Sequence, residues 1–99
     1  MKVDFSTGLK ALNGDVINDA KGEPATLKSV VIDALIAVYQ DEQNLSGEEK
    51  VKRWDLALKL YNGLGELSAE EIVLVKKLVG KAYGTIVVGQ VWQMLENKN

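Results

Sequence analysis

The carboxylates are the only conventional catalytic side chains in this sequence, because the chain contains neither cysteine nor histidine. Their absence excludes thiolate nucleophiles, zinc sites of the Cys/His kind and Ser-His-Asp triads, and it removes the side chain best suited to proton transfer near neutral pH. The acids that stand out are Asp33, inside an apolar run, and the pairs Asp41-Glu42, Glu48-Glu49 and Glu70-Glu71. We predict that the protein is not an enzyme and has no cofactor.

A buried carboxylate at Asp33 could serve as a general acid or base. Helical spacing instead groups Asp33 with Ser29 and Gln40 on a polar strip, which favours a position facing solvent. None of the acid pairs has the spacing of a calcium loop, and two of the three stand at predicted helix starts, where the helix dipole stabilises them. We therefore expect no metal site.

The glycine and lysine patterns do not indicate phosphate binding. The run Asn62-Gly-Leu-Gly65 precedes a helix but lacks the following lysine and serine or threonine of a P-loop, and it follows no strand. Lys76, Lys77 and Lys81 form a small basic patch on the predicted third helix, whose acidic first turn would repel phosphates. With a formal net charge of -2, nucleic-acid binding is only an alternative function.

Composition places the chain among globular proteins and predicts one domain over residues 1–99. Hydrophobic residues make up 46% and charged residues 26%, as expected for a chain that folds around a core in water. Asp33 interrupts the longest apolar run, so no window is long enough for a membrane span. The first residues, MKVDFSTG, lack the apolar core of a secretory signal. We expect an intracellular protein.

Residues 1–24 have the composition of turns and short strands. Asn13-Gly14 lies between LKAL and DVIN and is the dipeptide best suited to a two-residue hairpin turn. We predict a β-hairpin arm in which residues 9–12 pair with residues 15–18. The alternative is an arm that becomes fully ordered only on a partner, because an isolated two-stranded hairpin is marginally stable.

Four helices should follow, over residues 26–40, 46–61, 68–83 and 85–96. The first is apolar around nearly its whole circumference, which predicts a central, buried helix. Thr26 is a suitable N-cap for this helix, and Ser46 and Ser68 each begin a capping box at the next two. Thr85 can cap the last helix. The fold class is therefore mainly α, a compact four-helix domain preceded by an N-terminal β-hairpin.

The starts LSGEE and LSAEE, 22 residues apart, indicate either an ancient helix duplication or two helices that obey the same capping rules. Gly80, inside the third helix, marks either close helix packing or an early helix end.

The apolar residues of the second and last helices predict a contact with another chain. Val51, Trp54, Ala57, Leu58 and Tyr61 form one stripe at helical spacing, typical of core residues, and Leu56 and Leu60 fall outside it. The apolar residues of the last helix cover more than half of its circumference, which is more than one small core can bury. We predict a homo-oligomer with the interface residues Leu56, Leu60, Val91, Trp92 and Leu95.

The segments DFSTGLKALNGDVIND, GEPATLKSVVIDALIA, NLSGEEKVKRWDLALKLY and LSAEEIVLVKKLVGKAYGTIVVGQVWQMLE span nearly the whole chain. Their arrangement, a turn-rich hairpin, an apolar helix, a helix opening LSGEEK and a C-terminal helix pair, resembles small proteins of tailed phages and prophages, of the tail-assembly-chaperone kind. The resemblance implies a helical, non-enzymatic, self-associating protein that binds tail components in the cytoplasm of a bacterial host.

The predicted function is therefore protein-protein interaction in virion assembly, through helix faces and self-association, with no membrane partner. A first alternative is a phage inhibitor that docks on a host defence or regulatory protein through the acidic loop 41–44 and the helix start at Glu48 and Glu49. A second is a small nucleic-acid-binding protein that uses the lysines of the third helix.

Overall fold

Helix α1 (Leu27–Ile36) lies at the centre of the structure, a computed structural model that describes residues 3–19 and 21–96. It packs against α2 (Gly47–Tyr61) and α3 (Ala69–Ala82), and α4 (Thr85–Leu95) packs against α3. A short 3₁₀ helix, Gln40–Glu42, lies between α1 and α2. The radius of gyration, 13.2 Å, is that of a compact fold, since about 13 Å is typical of 100 residues. The predicted mainly helical class with four helices is confirmed.

Serine side chains begin α2 and α3 as predicted. The hydroxyls of Ser46 and Ser68 accept hydrogen bonds from the backbone N–H groups of Glu49 and Glu71. At Ser68 the capping box is complete, because the Glu71 carboxylate accepts the Ser68 N–H at 2.8 Å. At Ser46 the reciprocal bond is absent, and the Glu49 carboxylate lies 3.7 Å from the Lys52 ammonium instead.

The two remaining helices begin differently from one another. Thr26 caps α1, and the Ser29 hydroxyl accepts the Thr26 N–H in return. Thr85 is the first residue of α4 rather than its cap, because Gly84 occupies the N-cap position without a side-chain bond. The prediction that Thr85 caps α4 is therefore wrong.

Helix α1 ends earlier than the predicted boundary at Gln40. Its last residue is Ile36, after which the backbone becomes extended. The Tyr39 hydroxyl folds back and donates to the carbonyl of Ala34 at 2.7 Å, and it lies 3.3 Å from the carbonyl of Leu78 on α3. These bonds satisfy a carbonyl at the helix end and anchor the following segment on α3, which explains the early end.

The predicted N-terminal β-hairpin is not supported. Among the described residues there is no strand, and this region holds three isolated antiparallel bridges, Gly8 with Thr26, Lys10 with Val16 and Asn18 with Pro24. The turn at Asn13-Gly14 does form, with Gly14 at φ 89°. Residues 1, 2 and 20 of the predicted arm lie outside the described residues.

The backbone of Ala25 explains why the hairpin ladder does not extend. It accepts a hydrogen bond from the Leu9 N–H at 3.0 Å and donates one to the Ile17 carbonyl at 2.8 Å. These two groups would otherwise pair with each other across the hairpin.

A side chain of α4 binds the backbone of Lys10 on the side that faces away from residues 15–18. The Lys10 N–H donates to Gln90 Oε1 at 2.9 Å, and the Gln90 amide donates back to the Lys10 carbonyl at 2.6 Å. These backbone groups are the ones that a further strand would need. Phe5 and Leu9 are buried in the core, so the arm is held by side-chain packing and by Gln90.

Gly80 is an ordinary helical position in α3. It is exposed, and a Cβ added there would meet no atom within 4 Å. The helix continues beyond it to Ala82. Neither close helix packing nor an early helix end accounts for this glycine.

Candidate protein-binding surface

Four exposed apolar side chains lie along one side of α2 and are called the α2 stripe below. They are Val51, Trp54, Leu58 and Tyr61, with exposed fractions of 57%, 57%, 39% and 67%. Residues three and four apart share one side of a helix, so the four side chains form a continuous row that begins one turn into α2 and ends at its last residue.

The opposite side of α2 faces the core. It is not the side that the sequence predicted to be buried. Arg53, Leu56, Ala57 and Leu60 are buried there. The prediction placed the aromatic stripe inside and the two leucines outside; of the predicted stripe, only Ala57 is buried. Arg53 makes the buried side look like an exposed one in the sequence, because charged residues are normally exposed to solvent.

The structure does not bring the five predicted interface residues together on a surface. Leu56, Leu60, Val91 and Leu95 are all buried in the core, where they pack within the chain. Trp92 differs, with 41% of its surface exposed. Its indole N–H lies 3.3 Å from the carbonyl of Lys76 on α3. A contact role for Trp92 stays a prediction, and the other four offer no exposed surface in this fold.

At Trp54 the α2 stripe continues into a groove between the end of α1 and the start of α2. The α1–α2 groove has a volume of about 470 Å³. Its lining includes the exposed Ile36 and Val38, together with Leu45 and Lys50. At the far end of the stripe, the Lys28 ammonium lies 5.0 Å from the centre of the Tyr61 ring, so α1 borders the stripe there as well.

A buried ion pair lies beside the groove and fixes the connection between α1 and α2. The Arg53 guanidinium binds both carboxylate oxygens of Glu42, at 2.7 and 2.8 Å. Lys81 of α3 adds a second cation, 3.0 Å from Glu42 and 3.1 Å from Asp41. The Lys81 ammonium also lies 5.2 Å from the centre of the Tyr39 ring. The network ties the connection to α2 and α3.

The hydrogen bonds from Arg53 lower the pKa of Glu42 from 4.5 to about 2, against the opposing effect of burial. The same pair raises the pKa of Arg53, and burial raises the pKa of Tyr39. Glu42 is therefore ionised throughout the neutral range. A two-point bond between a guanidinium and a carboxylate also has a defined geometry, so it holds Arg53 and the start of α2 in one position.

The charges invoked by the two alternative functions are largely paired within the chain. In the acidic loop, Asp41 and Glu42 contact Lys81. In the basic patch, Lys81 has these partners, and Lys76 pairs with Glu96. These groups would have to exchange an internal partner for an external one, which lowers the gain from binding.

No cluster of three or more acidic side chains that could hold a metal ion occurs in residues 3–19 and 21–96. Asp33 is exposed, as the polar-strip interpretation predicted. In the same described part of the chain, no helix has both the length and the apolar character needed to cross a membrane.

Comparisons of the chain with protein-family models, with curated proteins and with solved structures give no match. The resemblance to phage tail-assembly chaperones therefore stays a prediction.

Proposed function

We propose that this protein is a non-enzymatic interaction protein of phage or prophage origin, which binds protein partners through the α2 stripe during tail assembly. The observation that carries the proposal is the row of exposed apolar side chains along α2. Contiguous apolar surface of this kind marks interaction sites, and tryptophan and tyrosine are enriched among the residues that dominate binding energy.

The two aromatic side chains supply most of the binding energy in this proposal. With exposed fractions of 57% and 67%, Trp54 and Tyr61 each leave roughly 100 Å² open to solvent. Burial of that area on a partner would contribute about 2.5 kcal/mol for each ring. The sum, about 5 kcal/mol, only matches the lower end of the cost of association, about 4–15 kcal/mol. The rest of the stripe and the adjoining groove must therefore contribute to binding as well.

The surface is also preformed, which favours binding. Leu56 and Leu60 hold α2 against the core, and the Arg53–Glu42 pair fixes its first half. Little backbone ordering is then needed when a partner docks. The resemblance to tail-assembly chaperones supports a tail component as that partner.

A photo-crosslinking amino acid placed at Leu58 tests this function in host cells that produce the phage. We expect a covalent adduct with a tail component, and we expect Trp54→Glu to abolish it. The matched control places the same probe at Val73, an exposed apolar residue on α3, where no adduct should form. Equal adducts at both positions, or none at Leu58, would contradict the proposal, and an adduct with a host regulatory protein would favour the inhibitor alternative.

A further inference from the structure

The α2 stripe has the spacing of a coiled-coil seam. Val51 and Leu58 are seven residues apart, and so are Trp54 and Tyr61, which gives the a and d positions of two heptads. All four are exposed. A stripe of this spacing matches another helix with the same spacing, and α2 of a second copy provides one.

The charges beside the stripe select the orientation of that second helix. Lys50 occupies a g position and Asp55 the following e position; both are exposed, and neither forms an ion pair within the described residues. In a parallel pair, g of one helix faces the next e of the other, so Lys50 faces Asp55 twice by symmetry. An antiparallel pair in which Val51 faces Tyr61 of the other copy would instead place the two Asp55 carboxylates beside each other.

The available area indicates a weak dimer. The stripe and the adjoining Ile36 expose roughly 500 Å² per copy, if a large side chain carries roughly 150–250 Å². Two copies would bury about 1,000 Å², at the lower limit of specific interfaces. Association should therefore depend on concentration.

From these observations we infer that the α2 stripe binds the α2 stripe of a second copy in a parallel, two-fold symmetric dimer, with Lys50 of each copy paired to Asp55 of the other. The inference rests on the proposed function, because it uses the same surface, and a tail component would bind the α2 stripe in place of the second copy.

Single cysteines test the orientation cleanly, since the chain has none of its own. In a parallel dimer Val51→Cys places two thiols side by side, and we expect a disulfide-linked dimer on mild oxidation. In an antiparallel dimer residue 51 lies about 15 Å along the axis from its copy, and a mixture of Val51→Cys and Tyr61→Cys would crosslink instead. Val73→Cys, off the stripe, is the control. Mixed crosslinks without the Val51→Cys dimer would overturn the parallel arrangement.

A charge exchange tests the ion pairs. Lys50→Glu turns two attractive pairs into repulsive ones and should raise the dissociation constant about tenfold, as should Asp55→Lys. The double variant should restore the affinity, and Lys77→Glu, off the stripe, should leave it unchanged. A double variant as weak as the single ones would refute the pairing.

Different results would contradict the dimer and the proposed function. A wild-type chain that is monomeric at every concentration overturns the dimer, while an adduct between a probe at Leu58 and a tail component would still support the proposed function. A dimer without any tail adduct would leave the dimer standing and contradict the proposed function.

Discussion

Replacement of Glu42 by glutamine tests how strongly the charge network holds the start of α2. The substitution keeps the size and one acceptor oxygen but removes the negative charge that pairs with Arg53. The guanidinium, which is buried, then lacks its counterion. Removal of one partner from a buried ion pair is strongly destabilising, because the other charge is left uncompensated.

The size of the effect follows from the pKa of Glu42. Its fall from 4.5 to about 2 corresponds to about 3.5 kcal/mol of stabilisation, at about 1.4 kcal/mol per pKa unit. Only 11% of the side chain is exposed, so solvent screening removes little of this. We expect Glu42→Gln to lower the free energy of unfolding by about 2–3 kcal/mol at pH 7.

The depressed pKa also determines how the stabilisation by Glu42 changes with pH. Because the folded-state pKa is depressed, the contribution of Glu42 is complete above pH 4.5 and is lost as the pH falls toward about 2. Urea denaturation of wild type and Glu42→Gln should be measured at pH 7 and at pH 3. The difference between their free energies of unfolding at pH 3 should be less than about half of the difference at pH 7. Glu48→Gln, an exposed control in the first turn of α2, should lower the free energy of unfolding by less than about 1 kcal/mol. Equal differences at the two pH values would refute the reasoning.

Two further pairs of substitutions test the packing by chemical denaturation. Leu60→Ala should cost about 2–5 kcal/mol because Leu60 is buried, whereas Leu58→Ala should cost less than about 1 kcal/mol; similar losses would contradict the assignment of the two sides of α2. Gly65→Ala should destabilise by about 1–3 kcal/mol, because its Cβ would meet the Val3 carbonyl. Gly80→Ala should stabilise by about 1 kcal/mol, since that helical position is open; a loss there would contradict the prediction.

Local signals in the sequence predicted the helices well. Thr26, Ser46 and Ser68 cap their helices through bonds to residues three positions later, and such bonds depend only on neighbouring residues. The starts of α1, α2 and α3 could therefore be placed to within a residue.

Features that depend on distant residues could not be predicted in this way. The early end of α1 depends on the Tyr39 hydroxyl and the carbonyl of Leu78. The missing hairpin ladder depends on Ala25, whose backbone binds the Leu9 N–H and the Ile17 carbonyl. Periodicity also identified two apolar sides on α2, and the prediction assigned the wrong one to the core. That choice depends on Arg53, which is buried only because Glu42 neutralises it.

The most direct test of the binding surface is the mass in solution, measured by light scattering over a range of concentrations for wild type, Trp54→Glu and Trp92→Glu. We expect wild type and Trp92→Glu to rise from the monomer mass of 10.8 kDa toward twice that value, and Trp54→Glu to remain a monomer with unchanged helical circular dichroism. A monomeric wild type, or a loss of association in Trp92→Glu alone, would contradict the assignment of the α2 stripe.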